Sequence, residues 1–403
     1  MPRLARAVRL FIVIIVVAAT GLAQAQEFDL VPPPPISFER WRPAGGSEYA
    51  ERYTITYPSA LPTAYSENNS VRCEVSVPKN RIGPAPVVVL LHFWGATDSV
   101  LEQEVAEELA TRGIAAISIP LPYHLSRTPD GTRSGELAIQ ADPEALKSTM
   151  KQAISDIRRG LDFIASRPEF DSSSIGISGT SLGAIVTSLA FSVDQRFRSA
   201  AFLLGGADLA GILWNSSRVV AQRDALRRQG YTEESLREAL RSVEPLTYLK
   251  PDDPRSTFVV SARHDTVIPK SATEKLIASL GEPQSLVLET GHYGGLLVRG
   301  RLVRTIAAFF SQTLRGQSFN APSGFYSPTV RFALTADASD GLQVAAGLDI
   351  WRSNSRADGF ATLFLTPRGP RGFVGAHLGQ GLSFGIVVAP KKTSAGILWS
   401  TVF

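Results

Sequence analysis

A serine lies between two glycines at the point where a strand pattern turns into a helix pattern. Residues 174–191 read SIGISGTSLGAIVTSLAF. The apolar residues before Ser181 are typical of a short buried strand, whereas Leu182, Ile185 and Leu189 recur at helical spacing. A serine hydroxyl is a weak nucleophile, so chemistry at Ser181 requires a sharp turn that exposes the hydroxyl and a base that takes its proton.

Candidate partners for this serine also follow strand patterns. His92 follows VVVLL, Asp265 follows FVVSARH, and His292 follows LVLETG. Ligands of a mostly parallel sheet bind at the carboxyl ends of its strands, so these side chains are expected to meet. Taken alone, each residue also has a structural explanation. Ser181 could mark a tight turn between a strand and a helix, Asp265 could start a turn or cap a helix, and His292 could be an ordinary loop histidine. The chain order serine, acid, histidine favours a Ser-His-Asp relay.

Four stretches together resemble a known superfamily. LLHFWGATDS, GTSLG, ARHDTVIP and TGHYG resemble the signature regions of the α/β-hydrolases, especially the secreted esterase and dienelactone-hydrolase-like branches, over about residues 53–315. The resemblance implies that Ser181 is the nucleophile and that His292 is the general base and then the general acid. It also implies that Asp265 orients the imidazole. Asp208, which follows the preceding strand, is an alternative acid because some relatives of this fold place it there.

An oxyanion would need two fixed N–H donors. Leu182 starts a helix directly after the serine and is predicted to supply one donor, and Phe93 or Trp94 the other. His92 is expected to shape this loop rather than to act as a base.

Other polar and aromatic residues are predicted to contact the substrate. These candidates are His92, Tyr123, His124, Arg127 and Trp214. A solvated loop at 120–136 and a packed tryptophan are the alternative interpretations.

Strand and helix patterns alternate over about residues 53–316, which predicts an α/β fold: a mostly parallel sheet with helices on both faces. Helical patterns between about residues 208 and 254 predict a cap inserted over the active site. The chain contains no nucleotide or metal-binding motif, and an enzyme of this design needs no cofactor and no metal.

Composition excludes several classes of protein. The 403 residues carry 41 basic and 37 acidic side chains, and three of the arginines lie in residues 1–25, which contain no acid. The remaining 38 and 37 are nearly balanced, so no nucleic-acid partner is predicted. Residues 1–25 are predicted to be a cleaved signal peptide of a secreted or periplasmic protein, with an uncleaved anchor as the alternative. A proline-rich extended leader is predicted for 26–52. Cys73 is the only cysteine, which excludes an internal disulfide.

The last segment, 317–403, changes to period-2 alternation with frequent glycine, which predicts five or six antiparallel strands. One interpretation is a small β domain or an assembly surface. Another is that the strands meet a membrane, because the alternation and the terminal Phe403 resemble the last strands of bacterial outer-membrane barrels. Six strands are fewer than the eight of the smallest single-chain barrel.

The predicted function is therefore a secreted serine hydrolase that cleaves small-molecule carboxylic esters through an acyl-enzyme. One alternative is a non-catalytic, envelope-associated binding protein with a hydrolase-like fold. A serine peptidase of the same superfamily is the other alternative, less favoured because no propeller-like domain precedes the hydrolase part.

Overall fold

A computed structural model describes residues 28, 34–38, 41–281, 283–324, 327–337, 341–352, 359–379, 381–390 and 392–403. The predicted signal peptide lies outside these residues, as do nine of the 27 residues of the proline-rich leader and several short segments of the C-terminal part.

Nine strands form a twisted sheet in the order β1-β2-β3-β5-β4-β6-β7-β8-β9. The first three strands pair antiparallel, and β3 pairs antiparallel with β5. From β5 to β9 all pairs are parallel. The strands are β1 (Arg42–Gly46), β2 (Ala50–Pro58), β3 (Ser70–Pro78), β4 (Ala85–Leu91), β5 (Ala115–Ser118), β6 (Phe170–Thr180), β7 (Phe197–Leu203), β8 (Ser256–Ala262) and β9 (Gln284–Leu288).

Helices cover both faces of the sheet. They are α1 (Val100–Ala110), α2 (Pro143–Ala165), α3 (Leu182–Val193), α4 (Leu209–Asn215), α5 (Val220–Arg228), α6 (Glu233–Leu240), α7 (Lys270–Ser279) and α8 (Arg299–Thr313), with short 3-10 turns at 125–127, 241–243, 245–247 and 294–298. The sheet and its helices form the predicted α/β arrangement.

Among the described residues, no helix combines the length and the apolar character needed to cross a bilayer.

The central strands are buried on both faces, which explains their unbroken apolar sequences. β4 reads APVVVLL, and alternate residues of it join the two apolar clusters on opposite sides of the sheet. The long α2 begins where the sequence predicts, because the Asp142 carboxylate accepts from the Glu144 and Ala145 N–H groups and Pro143 occupies the first helical position.

The predicted cap corresponds to helices α4, α5 and α6, which lie in the chain between β7 and β8. Thr232 and Ser235 form reciprocal side-chain to backbone hydrogen bonds at the start of α6. Leu236 and Leu240 of the same helix are fully buried in the larger apolar cluster, so the cap is packed on the domain.

The predicted leader is only partly an extended surface segment. Its residues 42–46 form β1 at the edge of the sheet, and β2 begins at Ala50 rather than at Tyr53. Phe28 is buried, and its ring meets Tyr248 edge-on. A proline-rich composition predicted a segment without sheet pairing, but Ala44 and the two glycines that follow Pro43 allow pairing with β2.

Six further strands form a separate closed antiparallel barrel in the order β10-β11-β12-β13-β14-β15, in which β15 pairs back with β10. They are β10 (Val330–Asp337), β11 (Gly341–Arg352), β12 (Gly359–Thr366), β13 (Gly369–Gly379), β14 (Leu382–Ala389) and β15 (Lys392–Val402). The barrel has its own small apolar cluster inside. Its strands agree with the alternation in the sequence.

One end of the barrel contacts the hydrolase domain. The Gly291 N–H donates to the Phe403 carbonyl at 2.9 Å, and the Glu289 N–H donates to Ser327 Oγ at 2.9 Å. Arg352 of β11 lies 3.2 Å from His264 Nδ1. The joint therefore adjoins the loops that carry Asp265 and His292.

Candidate active site

Ser181 occupies a strained turn between β6 and α3. Its φ of 55° and ψ of −114° are unusual for a residue with a side chain. A Cβ on Gly179 would overlap with Gly183, and a Cβ on Gly183 would overlap with the carbonyls of Leu91 and His92. Gly179 is therefore required by the close approach of β6 to α3, and Gly183 by the close approach of α3 to the end of β4, which explains the spacing seen in the sequence.

The three residues predicted to form a relay are brought together. His292 Nε2 lies 3.0 Å from Ser181 Oγ, and His292 Nδ1 lies 2.7 Å from Asp265 Oδ2. The side chains of His292 and Asp265 are almost fully buried. Asp265 Oδ1 accepts from the Val267 and Ile268 N–H groups, both at 2.8 Å. The carboxylate is thus fixed by its own loop and holds the imidazole toward the serine.

The predicted oxyanion donors adjoin the serine. Leu182 is the first residue of α3, so its N–H has no carbonyl partner within the helix and lies at the positive helix end. Phe93 and Trp94 line the same pocket as Ser181. The Trp94 indole donates to the Gly135 carbonyl at 2.8 Å, which fixes this loop against the 120–136 segment.

Ser181 and His292 lie on a cavity of about 270 Å³. Most of its wall is apolar, and the charged residues among its lining are Arg218 and Arg299. The lining residues are Phe93, Trp94, Gly95, Leu101, Val105, Thr180, Ser181, Leu203, Leu204, Arg218, Val260, Val267, His292, Tyr293, Gly295, Leu296, Arg299, Leu302, Val303 and Ile306. A cavity of this kind suits an uncharged acyl group.

His92 is buried beneath the oxyanion loop rather than exposed to substrate. Its Nε2 accepts from the Leu121 N–H at 3.0 Å, and its Nδ1 lies 2.8 Å from the Phe93 carbonyl, so Nδ1 carries the proton. Burial lowers the pKa of His92 to about 4. The neutral ring therefore links β4 to the segment after β5, in keeping with the predicted shaping role, and it does not line the cavity at Ser181.

The predicted substrate contacts at Tyr123, His124 and Arg127 are replaced by structural roles. Arg127 is completely buried, and its guanidinium binds Asp156 at 2.8 Å and the carbonyls of Asn68 and Pro120. His124 is fully buried, and Tyr123 is 8% exposed. Neither lines the cavity at Ser181. The segment folds inward because Arg127 and Asp156 neutralise each other there.

Trp214 and Asp208 also lie away from the reacting atoms. Trp214 in α4 packs under the Arg227 guanidinium, 4.8 Å from the ring centre, and is absent from the cavity wall. Asp208 caps α4 and forms ion pairs with Lys275 and Arg237. The Asp208 carboxylate therefore binds the start of α4 and these two cations. The acid next to His292 is Asp265.

The sequence did not single out several residues of this site. Tyr293, Leu296 and Arg218 line the cavity, and the Phe403 ring lies 6.0 Å from that of Tyr293. Tyr293 follows His292 directly and Leu296 lies four residues after it, so their position after the last parallel strand was an available signal. The contribution of the C-terminal strand had no local signal.

Comparisons with known proteins agree with this geometry. The model of the prolyl oligopeptidase family, Peptidase S9, matches residues 144–317. An acetyl xylan esterase from Paenibacillus sp. R4 has a TM-score of 0.53 at 22% identity over 68% of this chain and 89% of its own. Acetyl xylan esterase 1 from Thermoanaerobacterium sp. JW/SL YS485 has a TM-score of 0.51 at 14% identity over 70% and 98%. An acylaminoacyl peptidase from Pyrococcus horikoshii has a TM-score of 0.51 at 15% identity over 70% and 44%. No curated protein sequence matches the chain.

The sheet order and these matches show an α/β-hydrolase fold for the domain that carries Ser181, Asp265 and His292. Residues 144–317 are similar to the prolyl oligopeptidase family, and the similar solved structures include two esterases and a peptidase.

Proposed function

We propose that this protein is a serine hydrolase that cleaves carboxylic esters through a covalent acyl-enzyme. The observation that carries the proposal is the hydrogen-bonded series Ser181, His292, Asp265 at the mouth of an apolar cavity. Its geometry lies within the reach needed for proton transfer from a nucleophile to a base and for orientation of that base.

Each group has a distinct part in the proposed reaction. His292 Nε2 takes the Ser181 proton as Oγ attacks the acyl carbon, and then gives it to the departing alkoxide. Water attacks the acyl-enzyme with His292 again as base, and Ser181 is released with the carboxylic acid. Asp265 stabilises the imidazolium, while the N–H groups of Leu182 and of Phe93 or Trp94 bind the oxyanion.

The cavity supports an ester rather than a peptide substrate. Its described wall carries two arginines and no carboxylate, so it offers no counter-charge for the ammonium group of a peptide N-terminus. The apolar side chains around Leu204 and Val267 suit an acyl chain, and the volume of about 270 Å³ favours one of short to medium length.

The test is hydrolysis of p-nitrophenyl acyl esters of increasing chain length by residues 26–403. We expect Ser181→Ala and His292→Ala to lower kcat by roughly 10⁴- to 10⁶-fold. Ser188→Ala is the matched control, because this buried serine of α3 bonds only to the Ile185 carbonyl in the described structure. A fluorophosphonate should label the parent and the Ser188 variant but not the Ser181 variant. A folded parent that neither turns over any ester nor reacts with the probe would overturn the proposal and favour the binding-protein alternative.

A serine peptidase is the second candidate, supported by the match of residues 144–317 to the prolyl oligopeptidase family. The same mechanism would cleave an amide, so substrate comparison separates the two. Peptidyl p-nitroanilides assayed beside the esters are expected to give a kcat/KM at least 100-fold lower. The reverse ranking would assign the enzyme to the peptidases.

We further propose that the protein is exported and that residues 1–25 are removed. The support is the sequence itself: three arginines, an apolar stretch and small residues at positions 23 and 25. Sequencing the N-terminus of the protein recovered from a bacterial host should give a chain that begins near Gln26. An intact N-terminus in the membrane fraction would instead indicate an anchor.

A further inference from the structure

The outer surface of the barrel is apolar on every strand. Large apolar side chains occupy the outward positions and are exposed: Phe332, Leu334, Leu342, Val344, Leu348, Ile350, Trp351, Leu363, Leu365, Val374, Leu378, Leu382, Phe384, Ile386, Val388, Ile397 and Trp399. Among the described strand residues of the barrel, the one charged side chain at an exposed position is Lys392, at the first residue of β15. Contiguous apolar surface of this extent is unusual for a soluble monomer.

The inside of the barrel holds a buried ion pair beside its apolar cluster. Arg331 and Asp349 form a bidentate ion pair inside it, at 3.0 and 2.8 Å, and their side chains are 1% and 3% exposed. Ser400 accepts from the same guanidinium, and Thr362 donates to the same carboxylate. A soluble barrel keeps its charged side chains outside, so an apolar exterior around a buried ion pair departs from that pattern and is typical of membrane barrels.

The backbone of the barrel also meets the requirement for a sheet inside a bilayer, where every N–H and C=O group must have a partner within the protein. Because β15 pairs with β10 over seven residue pairs, from Arg331 with Val402 to Asp337 with Gly396, the sheet has no free edge. Strands β13 and β15 have 11 residues each. A strand of that length tilted by about 35 to 45° rises roughly 26 to 30 Å, enough to cross the apolar band of about 25 Å on membrane barrels.

We propose that this barrel is embedded in a lipid bilayer and holds the hydrolase domain at one membrane surface. A second copy of the chain fits the surface less well, because a pairwise interface covers one side of a barrel whereas these apolar side chains surround it. Aromatic rings also collect at the end next to the hydrolase domain, where the centre of the Phe403 ring lies 6.0 Å from that of Tyr293 and 6.4 Å from that of Phe332. Such rings are typical of the boundary between lipid and water.

Six strands suffice for this role. The eight strands of the smallest single-chain membrane barrels are a property of known examples. The physical requirements are paired backbone groups and an apolar exterior. Phe360, Phe364 and Phe373 fill the interior beside the ion pair, so the narrow barrel is packed with side chains. It serves as an anchor.

The test compares charges placed on two apolar surfaces. Leu363 and Val374 are 53% and 51% exposed on neighbouring barrel strands, and Ile82 is fully exposed on the hydrolase domain. The full chain is purified in detergent and mixed with vesicles of dilauroylphosphatidylcholine, which are washed with alkaline carbonate and floated. We expect the parent and Ile82→Lys to float, and the floated fraction of Leu363→Lys/Val374→Lys to fall at least tenfold. None of these readouts depends on hydrolase activity.

A second measurement does not depend on how the charged variant folds. Cys73 is buried, so a cysteine introduced as Leu363→Cys or Ile82→Cys can be labelled selectively with an environment-sensitive fluorophore. Emission from position 363 should shift to the blue with vesicles and be quenched by brominated lipid, whereas emission from position 82 should not change. The proposal is overturned if the parent is a monodisperse monomer without detergent and does not float. It is also overturned if a fixed oligomer forms and position 363 responds to assembly but not to lipid.

Discussion

Two glycines leave the space in which the nucleophile turn is built. Gly183 faces the carbonyl groups of Leu91 and His92 across the turn, so any side chain there pushes α3 away from β4. The donors predicted to bind the oxyanion come from these same two elements. The distance between these donors therefore depends on position 183 having no Cβ atom.

The change Gly183→Ala is expected to lower kcat about 100-fold or more, because a displacement near 1 Å misplaces both the nucleophile and the oxyanion donors. Steady-state kinetics on the best p-nitrophenyl ester measures the effect. Gly300→Ala is the control, because a Cβ there has only ordinary contacts and lies in exposed α8. Equal loss in both variants would contradict this account.

His92, which lies beneath the loop of Phe93 and Trp94, is expected to make the stability of the protein depend on pH. Burial lowers its pKa to about 4, below the value of about 6.5 expected for an unfolded chain. The unfolded state therefore binds the proton more readily. The stability associated with neutral His92 is complete above about pH 6.5 and is lost as the pH falls toward 4.

Urea unfolding of the parent and of His92→Gln at several pH values measures this contribution. The difference in the free energy of unfolding between the two should shrink by about 3 kcal/mol at most from pH 6.5 to 4. Because burial and then His92 lower the pKa of His124 to about 3, both proteins also carry His124→Gln, which removes this second group from the comparison. Parallel pH curves would show that His92 is not the responsible group.

At this scale the sequence predicted the relay but not the substrate contacts. Ser181, Asp265 and His292 were identifiable because each follows a strand, and a parallel sheet brings such positions together. Arg127 had an equally polar local sequence, yet its buried partner Asp156 lies on a distant helix. The burial of one charge depends on that distant partner, which periodicity does not reveal.

At the scale of elements, α4 is fixed by an acid that could have been mistaken for a catalytic one. Asp208 adopts a left-handed conformation with φ of 73°, accepts from the Gly211 N–H at 3.1 Å and pairs with Lys275 and Arg237. Hydrogen bonds and these cations lower the pKa of Asp208 against the opposing effect of burial. The cap begins at this residue.

Comparing Asp208→Ala with Asp265→Ala separates capping from catalysis. The first should lower the free energy of unfolding by about 1 to 2 kcal/mol through loss of the helix cap and of a partly exposed ion pair, with kcat changed by less than about tenfold. The second should lower kcat by roughly 10⁴-fold. Denaturant unfolding and ester kinetics on both variants measure this, and a larger kcat loss for Asp208→Ala would reverse the assignment.

The order of strands and helices was predictable because apolar periodicity is local. The pairing of residues 42–46 with β2 was not, since a short exposed glycine-containing strand carries no periodic signal. In the C-terminal part, alternation predicted strands but did not show which face points inward. Leu334 is exposed and Thr335 is buried, and this difference arises only when the barrel closes.

At the scale of the whole molecule, the barrel and the catalytic loop meet backbone to backbone. A Cβ on Gly291 would overlap with the Val402 carbonyl, and the Gly291 N–H donates to the Phe403 carbonyl. His292 is the next residue. The C-terminal strand therefore supports the loop that carries the proposed base.

Gly291→Ala is accordingly expected to lower kcat/KM by about 10- to 100-fold, because the loop must move away from β15 and take His292 with it. The rate of fluorophosphonate labelling of Ser181 should fall by a similar factor. Gly372→Ala is the control, since a Cβ on this barrel glycine has only ordinary contacts with Val388. Unchanged labelling in Gly291→Ala would show that the joint does not position the histidine.

This joint also gives the enzyme a built-in order of assembly. During synthesis Ser181, Asp265 and His292 all leave the ribosome before β15, whose end supplies the carbonyl partner of Gly291. The loop that holds the base thus obtains its last support only after the final barrel strand has been made and has closed against β10. A nascent chain can contain Ser181, Asp265 and His292 and still lack the support of this loop, so the proposed activity is delayed until β15 has been made.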